Sequence, residues 1–169
     1  GMKTIFNILG PLLNPGKVSN QIVGVYSKEV KEIYKKVFLK LDKKNAFIIY
    51  GYDGMDELST EGENIIGCPN NEDFYFDPNH IFIQRPNQDE LNGQNAEYNA
   101  MRIIEIFSGK EDSFFKIVAL NASLGMILNN KIKLSSKNIQ DFYNKAVEII
   151  KDGSALKTLK NLEKFTLMS

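Results

Sequence analysis

Two adjacent carboxylates, Asp56 and Glu57, stand in a loop that opens at Gly51, contains Gly54 and directly follows the apolar run Ala46 to Tyr50. Acids so placed can hold a hard divalent cation. Mg²⁺ takes one or two carboxylates, keeps several waters and lets substrate phosphate complete its shell. Taken without its surroundings, an acidic pair between glycines reads as a solvated turn. A second pair, Gly10-Pro11, joins a residue that lets a flat ligand reach the backbone to a rigid apolar wall lacking an N–H. That surface suits an aromatic acid better than a polar sugar, although Gly-Pro alone reads as a helix stop.

These residues need elements to position them. Thr4 to Leu9 reads as a short helix ended by Gly10-Pro11, because proline restricts the residue before it. Gln21 to Ser27 reads as a buried strand, carried by Ile22, Val23, Val25 and Tyr26. From Lys28 to Leu41, apolar residues at Val30, Ile33, Tyr34, Val37, Phe38 and Leu41 follow the spacing of an amphipathic helix. Ala46 to Tyr50 is a second apolar strand, so a βαβ unit with two parallel strands and helices on both faces is expected. In open α/β sheets ligands bind beyond the carboxyl ends of the strands, which is where Asp56 and Glu57 would then lie.

Between Glu63 and Gln84 short apolar runs, Ile65-Ile66, Phe74 to Phe76 and Ile81 to Ile83, are broken by Asn, Asp and Pro and read as antiparallel or edge strands. Beyond Asn95 the pattern is helical: Ala96 to Phe107, Ser113 to Leu128, Lys137 to Lys151 and Ser154 to Phe165. Gly109 and Gly153 stand at C-terminal cap positions, and Ser135-Ser136 offers an N-cap. The expectation is one α/β domain over residues 1–169, with a mostly parallel central sheet flanked by helices.

A chain of 169 residues can bury a core of its own. Its 21 basic and 21 acidic side chains argue against a broad nucleic-acid surface, which needs excess Lys and Arg on one face. No apolar run approaches the roughly 18 residues that span a membrane, and no signal peptide is visible. The single cysteine, Cys68, can form neither an intrachain disulfide nor a cysteine cage for zinc, so a reducing, cytoplasmic setting is the simplest inference. Gly1 ahead of Met2 reads as a scar of tag removal, with the natural start at Met2. His80, beside Pro78, reads as a surface or turn residue, and Cys68 as a small apolar one. The lysines from Lys28 to Lys44 alternate with Glu29, Glu32 and Asp42 as on a solvated face.

Read together, Thr4 to Pro15 (TIFNILGPLLNP) and Gly51 to Thr60 (GYDGMDELST) resemble two segments of the anthranilate phosphoribosyltransferases, which join anthranilate to phosphoribosyl pyrophosphate in tryptophan biosynthesis. Gly93 to Ala96 and Leu120 to Ala122 are similar to the C-terminal half of the same family and read there as helix entry and close packing. The resemblance implies a fold like the C-terminal domain of nucleoside phosphorylases and phosphoribosyltransferases, with residues 1–16 as the segment that would connect to an N-terminal helical domain. It implies that Asp56 and Glu57 are Mg²⁺ ligands, that Gly10 and Pro11 line the anthranilate channel, and that Ser59 and Thr60 shape the loop. Lys3 falls where the family often has arginine and takes no substrate role.

The resemblance starts at the first residues, so the family's helical domain, its Gly-Thr-Gly-Gly-Asp phosphate loop and its upstream histidine and arginine have no counterpart in this chain. The isolated chain is therefore expected to be close to inactive, and either to form a homo-oligomer or associate with a separate N-terminal half through Ile5, Phe6, Ile8 and Leu9, or to refold that segment onto the domain's own surface. Two other readings stay open at this point: a stand-alone binding or assembly module of the same fold, and a fragment of a pyrimidine nucleoside phosphorylase relative.

Overall fold

The computed structural model describes residues 6–167 apart from 14, 17, 84 and 87. Lys3, Thr4, Ile5 and Asn14 therefore lie outside the described residues. Six α-helices and four strands follow in the order α1 (Phe6–Leu9), β1 (Gln21–Gly24), α2 (Lys28–Lys40), β2 (Ala46–Tyr50), β3 (Asn64–Gly67), β4 (Phe74–Phe76), α3 (Ala96–Phe107), α4 (Ser113–Asn129), α5 (Ser136–Lys151) and α6 (Ser154–Leu167).

The sheet has the order β1-β2-β3-β4. β1 and β2 pair parallel, with Ile22 opposite Phe47, as the βαβ pattern requires. β3 and β4 add antiparallel, with Ile49 opposite Ile66 and Ile65 opposite Tyr75. The sheet is thus mixed rather than mostly parallel. The physical reason lies in the connections: no crossover helix follows β2, and a chain that returns through a loop must run antiparallel.

β2 explains why the sheet is covered twice. Ala46 and Ile48 turn toward α2, where they pack with Val23, Tyr34 and Phe38. Phe47 and Ile49 turn to the other face and pack with Leu120, Leu124 and Ile139 of α4 and α5. A third cluster, Ile106, Phe115, Ala146 and Ile150, ties α3 to the α4–α5 pair. A part-buried salt bridge seals the α2 side: Asp73 accepts from Lys31 and, at 2.6 Å, from Lys35.

Helix starts follow the polar residues expected of them. Ser27, Asn95, Asp112 and Ser135 each accept from a backbone N–H in the first turn. Gly109 and Gly153 follow the C-caps of α3 and α5.

One expectation fails locally. Ile81 to Ile83 form no strand, because Asp77 caps a 3₁₀ turn at Pro78–His80 and Phe82 buries its ring edge-on against Tyr143. α1 ends at Leu9, ahead of Gly10-Pro11 as expected, and the chain then tightens into a 3₁₀ turn over Gly10–Leu12. Ile8 and Leu12 pack partly against the α2-side core, and Tyr34 donates to the Ile8 carbonyl at 2.5 Å. Among the described residues no helix is long and apolar enough to cross a membrane.

Candidate metal-binding loop

The loop from Gly51 to Glu63 leaves the carboxyl end of β2 and folds back across the carboxyl end of β1. Two glycines make that crossing possible. A Cβ on Gly24 would collide with the main chain of Asp56, and a Cβ on Gly51 would collide with the Glu57 carbonyl oxygen. Gly51 closes the turn by donating its N–H to Met55 O at 2.7 Å. Asp56 and Glu57 follow with exposed side chains.

What comes next is deeply held. Leu58 is fully buried in the core between the sheet and α4. Its N–H donates to Asn121 Oδ1 at 2.8 Å, and its carbonyl accepts from Asn121 Nδ2 at 3.3 Å. Ser59 is treated the same way by Asn64, whose Oδ1 accepts from the Ser59 N–H at 2.7 Å while Nδ2 donates to the Ser59 carbonyl at 3.0 Å. Ser59 Oγ accepts from the Glu61 N–H at 3.1 Å, and Arg85 donates to the Glu61 carbonyl. Ser59 and Thr60 are buried, Thr60 Oγ1 without a hydrogen-bond partner.

Desolvation by the surrounding loop, and then the neighbouring Asp56 charge, push the Glu57 pKa above the ordinary value for a glutamate although its side chain reaches solvent. A cation between the two acids would relieve that repulsion. Among the described residues no cluster of three His, Cys, Asp or Glu is arranged to hold a metal. Two exposed carboxylates on a fixed loop suit Mg²⁺, which does not need a full protein cage. They would not suit a structural zinc site, which closes with four ligands.

Gly10 and Pro11 lie elsewhere. The Pro11 carbonyl accepts from Gln21 Nε2 at 2.6 Å, at the first residue of β1. The Asp56 main chain crosses Gly24 at its last. About 10 Å of extended chain separates those two strand positions. A Cβ on Gly10 would meet nothing within 4 Å, which leaves its backbone open. A cavity of about 740 Å³ lined by Leu12, Val18, Leu41 and Lys43 lies at the amino ends of β1 and β2, away from the acidic loop. His80 is exposed and Cys68 is a buried free thiol.

Two asparagines are functional candidates: Asn121, which the sequence assigns to close packing alone, and Asn64, which it does not single out. Asn121 interrupts the apolar stretch of α4 from Ile117 to Ala122, and Asn64 opens a strand of buried residues. A poor helix former inside an apolar helix was the available signal.

Comparison with known proteins follows the same lines. A family profile described as "Glycosyl transferase family, a/b domain" matches residues 1–156. The anthranilate phosphoribosyltransferase of Petrotoga mobilis is 32% identical over 98% of this chain and 48% of that protein. That of Geobacter sp. (strain M21) is 34% identical over 98% of this chain and 47% of its own length. Among solved structures, the Saccharomyces cerevisiae enzyme in complex with PRPP and Mg superposes with a TM-score of 0.82 at 28% identity, over 95% of this chain and 45% of that one. The Thermus thermophilus enzyme gives 0.82 at 26% identity, over 95% and 47%. The chain spans about half the length of the relatives it matches.

Proposed function

The chain belongs to the glycosyl transferase family, a/b domain, and from that premise we propose that it is the α/β half of a phosphoribosyltransferase that joins anthranilate to phosphoribosyl pyrophosphate in tryptophan biosynthesis. The observation that carries the reading is the loop at the carboxyl end of the sheet, where Asp56 and Glu57 project from a backbone fixed on both Gly24 and Asn121. In the reaction the anthranilate amine forms a bond to C1 of the ribose while the C1–oxygen bond to pyrophosphate breaks. Asp56 and Glu57 would hold Mg²⁺, which offsets the charge of the departing pyrophosphate without proton transfer. The acids must be ionised for this, so binding weakens as pH falls, and the raised pKa of Glu57 brings its protonation in at higher pH than for an ordinary glutamate.

Gly10 and Pro11 supply a flat apolar wall for the aromatic ring of anthranilate, an assignment supported by the open backbone at Gly10. The chain holds no Gly-Thr-Gly-Gly-Asp loop to cradle pyrophosphate through backbone N–H groups, so the isolated chain turns over negligibly. Association completes it. The Gln21 and Val25 N–H groups bond to β2, which leaves those of Ile22 and Gly24 facing outward along an open edge, with Leu13, Val18 and Ile22 exposed. A second copy or a complementary N-terminal half is the expected partner, in a cytoplasmic setting.

Anthranilate fluorescence tests the reading, with the chain alone and with a separately made N-terminal half of a relative. The expected result is no consumption alone and consumption in the mixture, lost in Asp56→Asn. Turnover of roughly 1 s⁻¹ or more by the chain alone would overturn the incomplete-site argument. Complemented turnover that survives Asp56→Asn and Glu57→Gln together would overturn the metal assignment.

A further inference from the structure

We propose that Asn121 and Asn64 are positioning residues that preset the Asp56–Glu57 loop for its cation by serving as side-chain substitutes for a neighbouring strand. The proposal rests on the metal role given above to Asp56 and Glu57. Leu58 and Ser59 are consecutive residues directly after those acids, and each meets a carboxamide that accepts from its N–H and donates to its carbonyl. Together the contacts are Leu58 N–H to Asn121 Oδ1 at 2.8 Å, Asn121 Nδ2 to Leu58 O at 3.3 Å, Ser59 N–H to Asn64 Oδ1 at 2.7 Å and Asn64 Nδ2 to Ser59 O at 3.0 Å. An amide side chain alone offers a neutral acceptor and donor on one edge. The backbone partners fix which atom is which, since an N–H needs oxygen and a carbonyl needs nitrogen.

The two clamps come from different elements. Asn121 lies within α4, where Nδ2 also donates to Ile117 O at 3.1 Å. Asn64 is fully buried at the start of β3, and its Nδ2 also reaches Gly62 O at 3.0 Å. The segment they hold belongs to no strand. Fixing two successive residues to a helix and a strand leaves the preceding residues little freedom to rotate. With two carboxylates and, among the described residues, no third ligand arranged beside them, this loop cannot rely on a cation to organise it. Groups that orient metal ligands are typically worth 10–100-fold in affinity.

The test uses the ¹⁵N-labelled chain, with amide hydrogen exchange read without metal and Mn²⁺ plus phosphoribosyl pyrophosphate read by relaxation of the loop amides. Wild type, Asp56→Asn, Asn121→Ala, Asn121→Asp and Asn64→Ala are compared. In Asn121→Ala the Leu58 amide should lose at least tenfold of its protection while Ile48 of β2 keeps its own, and Mn²⁺ affinity should fall at least tenfold. Asn121→Asp keeps the acceptor for the Leu58 N–H and loses the donor, so Leu58 should retain most of its protection; that variant decides the matter if Asn121→Ala does not fold. Leu58 protection unchanged in Asn121→Ala, or lost only in step with Ile48, would overturn the positioning role, as would unchanged Mn²⁺ affinity. Equal Mn²⁺ responses from wild type and Asp56→Asn would instead refute the metal reading, and the exchange pattern would still decide the clamps.

Discussion

Placing a methyl group on Gly24 should displace the acidic loop and little else. The new carbon would lie 2.6 Å from the Asp56 carbonyl carbon and 2.8 Å from its Cβ, where carbon atoms normally rest about 3.5–4.0 Å apart. Neither atom is the far end of a flexible side chain, and β1 cannot yield, because Val23 and Val25 on either side are buried. The Asp56 carbonyl oxygen would lie closer still, at 1.7 Å, so relief requires the loop to lift by more than about 1 Å. Overpacking of this kind costs about 1–3 kcal/mol, and a shift of about 1 Å in groups that must meet a ligand can cost about 100-fold in rate. The assay is a ¹⁵N correlation spectrum with a thermal melt of Gly24→Ala. Gly10→Ala serves as control, since its Cβ meets nothing within 4 Å. Shifts should concentrate in Val23 to Tyr26 and Gly51 to Thr60, with Tm lowered by about 2–4 °C for each kcal/mol. Gly10→Ala should stay within about 0.5 kcal/mol of wild type. Wild-type Asp56 and Glu57 resonances and an unchanged melt in Gly24→Ala would refute the crossing of the loop over β1.

Glu57→Gln should stabilise the chain at neutral pH and leave it unchanged at about pH 4. The folded state holds the Glu57 proton above the ordinary value of 4.5, so the ionised carboxylate destabilises the fold, an effect absent below that value and complete above the raised one; melts across pH check the sign. Asp73→Ala removes the partner of Lys35 and one partner of Lys31, whose side chain is only 5% exposed. It should cost up to about 3 kcal/mol in urea unfolding, with Glu32 at 2.9 Å still moderating the loss at Lys31. Leu58→Ala should cost about 2–5 kcal/mol, because that side chain is fully buried. Sedimentation should show the isolated chain self-associating, and Ile22→Lys, which places a charge on the open edge, should reduce it.

The elements whose signal is local were legible from residue types. The run from Lys28 to Lys40 carries its amphipathic stripe and its Ser27 cap in the sequence itself. β2 declares two-sided burial through four consecutive apolar residues that the fold buries. Ile81 to Ile83 misled because composition cannot weigh an Asp77-capped turn against a strand, and the Phe82 ring had a partner 61 positions away. A similar separation hid one of the clamps: Asn121 lies 63 positions from Leu58, and nothing around either residue announces the other. Asp56 and Glu57 were legible as a pair, whereas the collision that makes Gly24 necessary exists only once the loop is folded over β1.

The central claim is that Asp56 and Glu57 hold the divalent cation that accompanies a sugar pyrophosphate. Its most direct test is a titration of the intact chain with Mg²⁺ or Mn²⁺, with and without phosphoribosyl pyrophosphate, followed by NMR beside Asp56→Asn. The metal alone should bind weakly, since phosphate oxygens normally complete the Mg²⁺ shell. With the pyrophosphate present, resonances from Gly51 to Thr60 should respond in wild type and lose that response in Asp56→Asn. Equal responses from the two proteins would contradict the account.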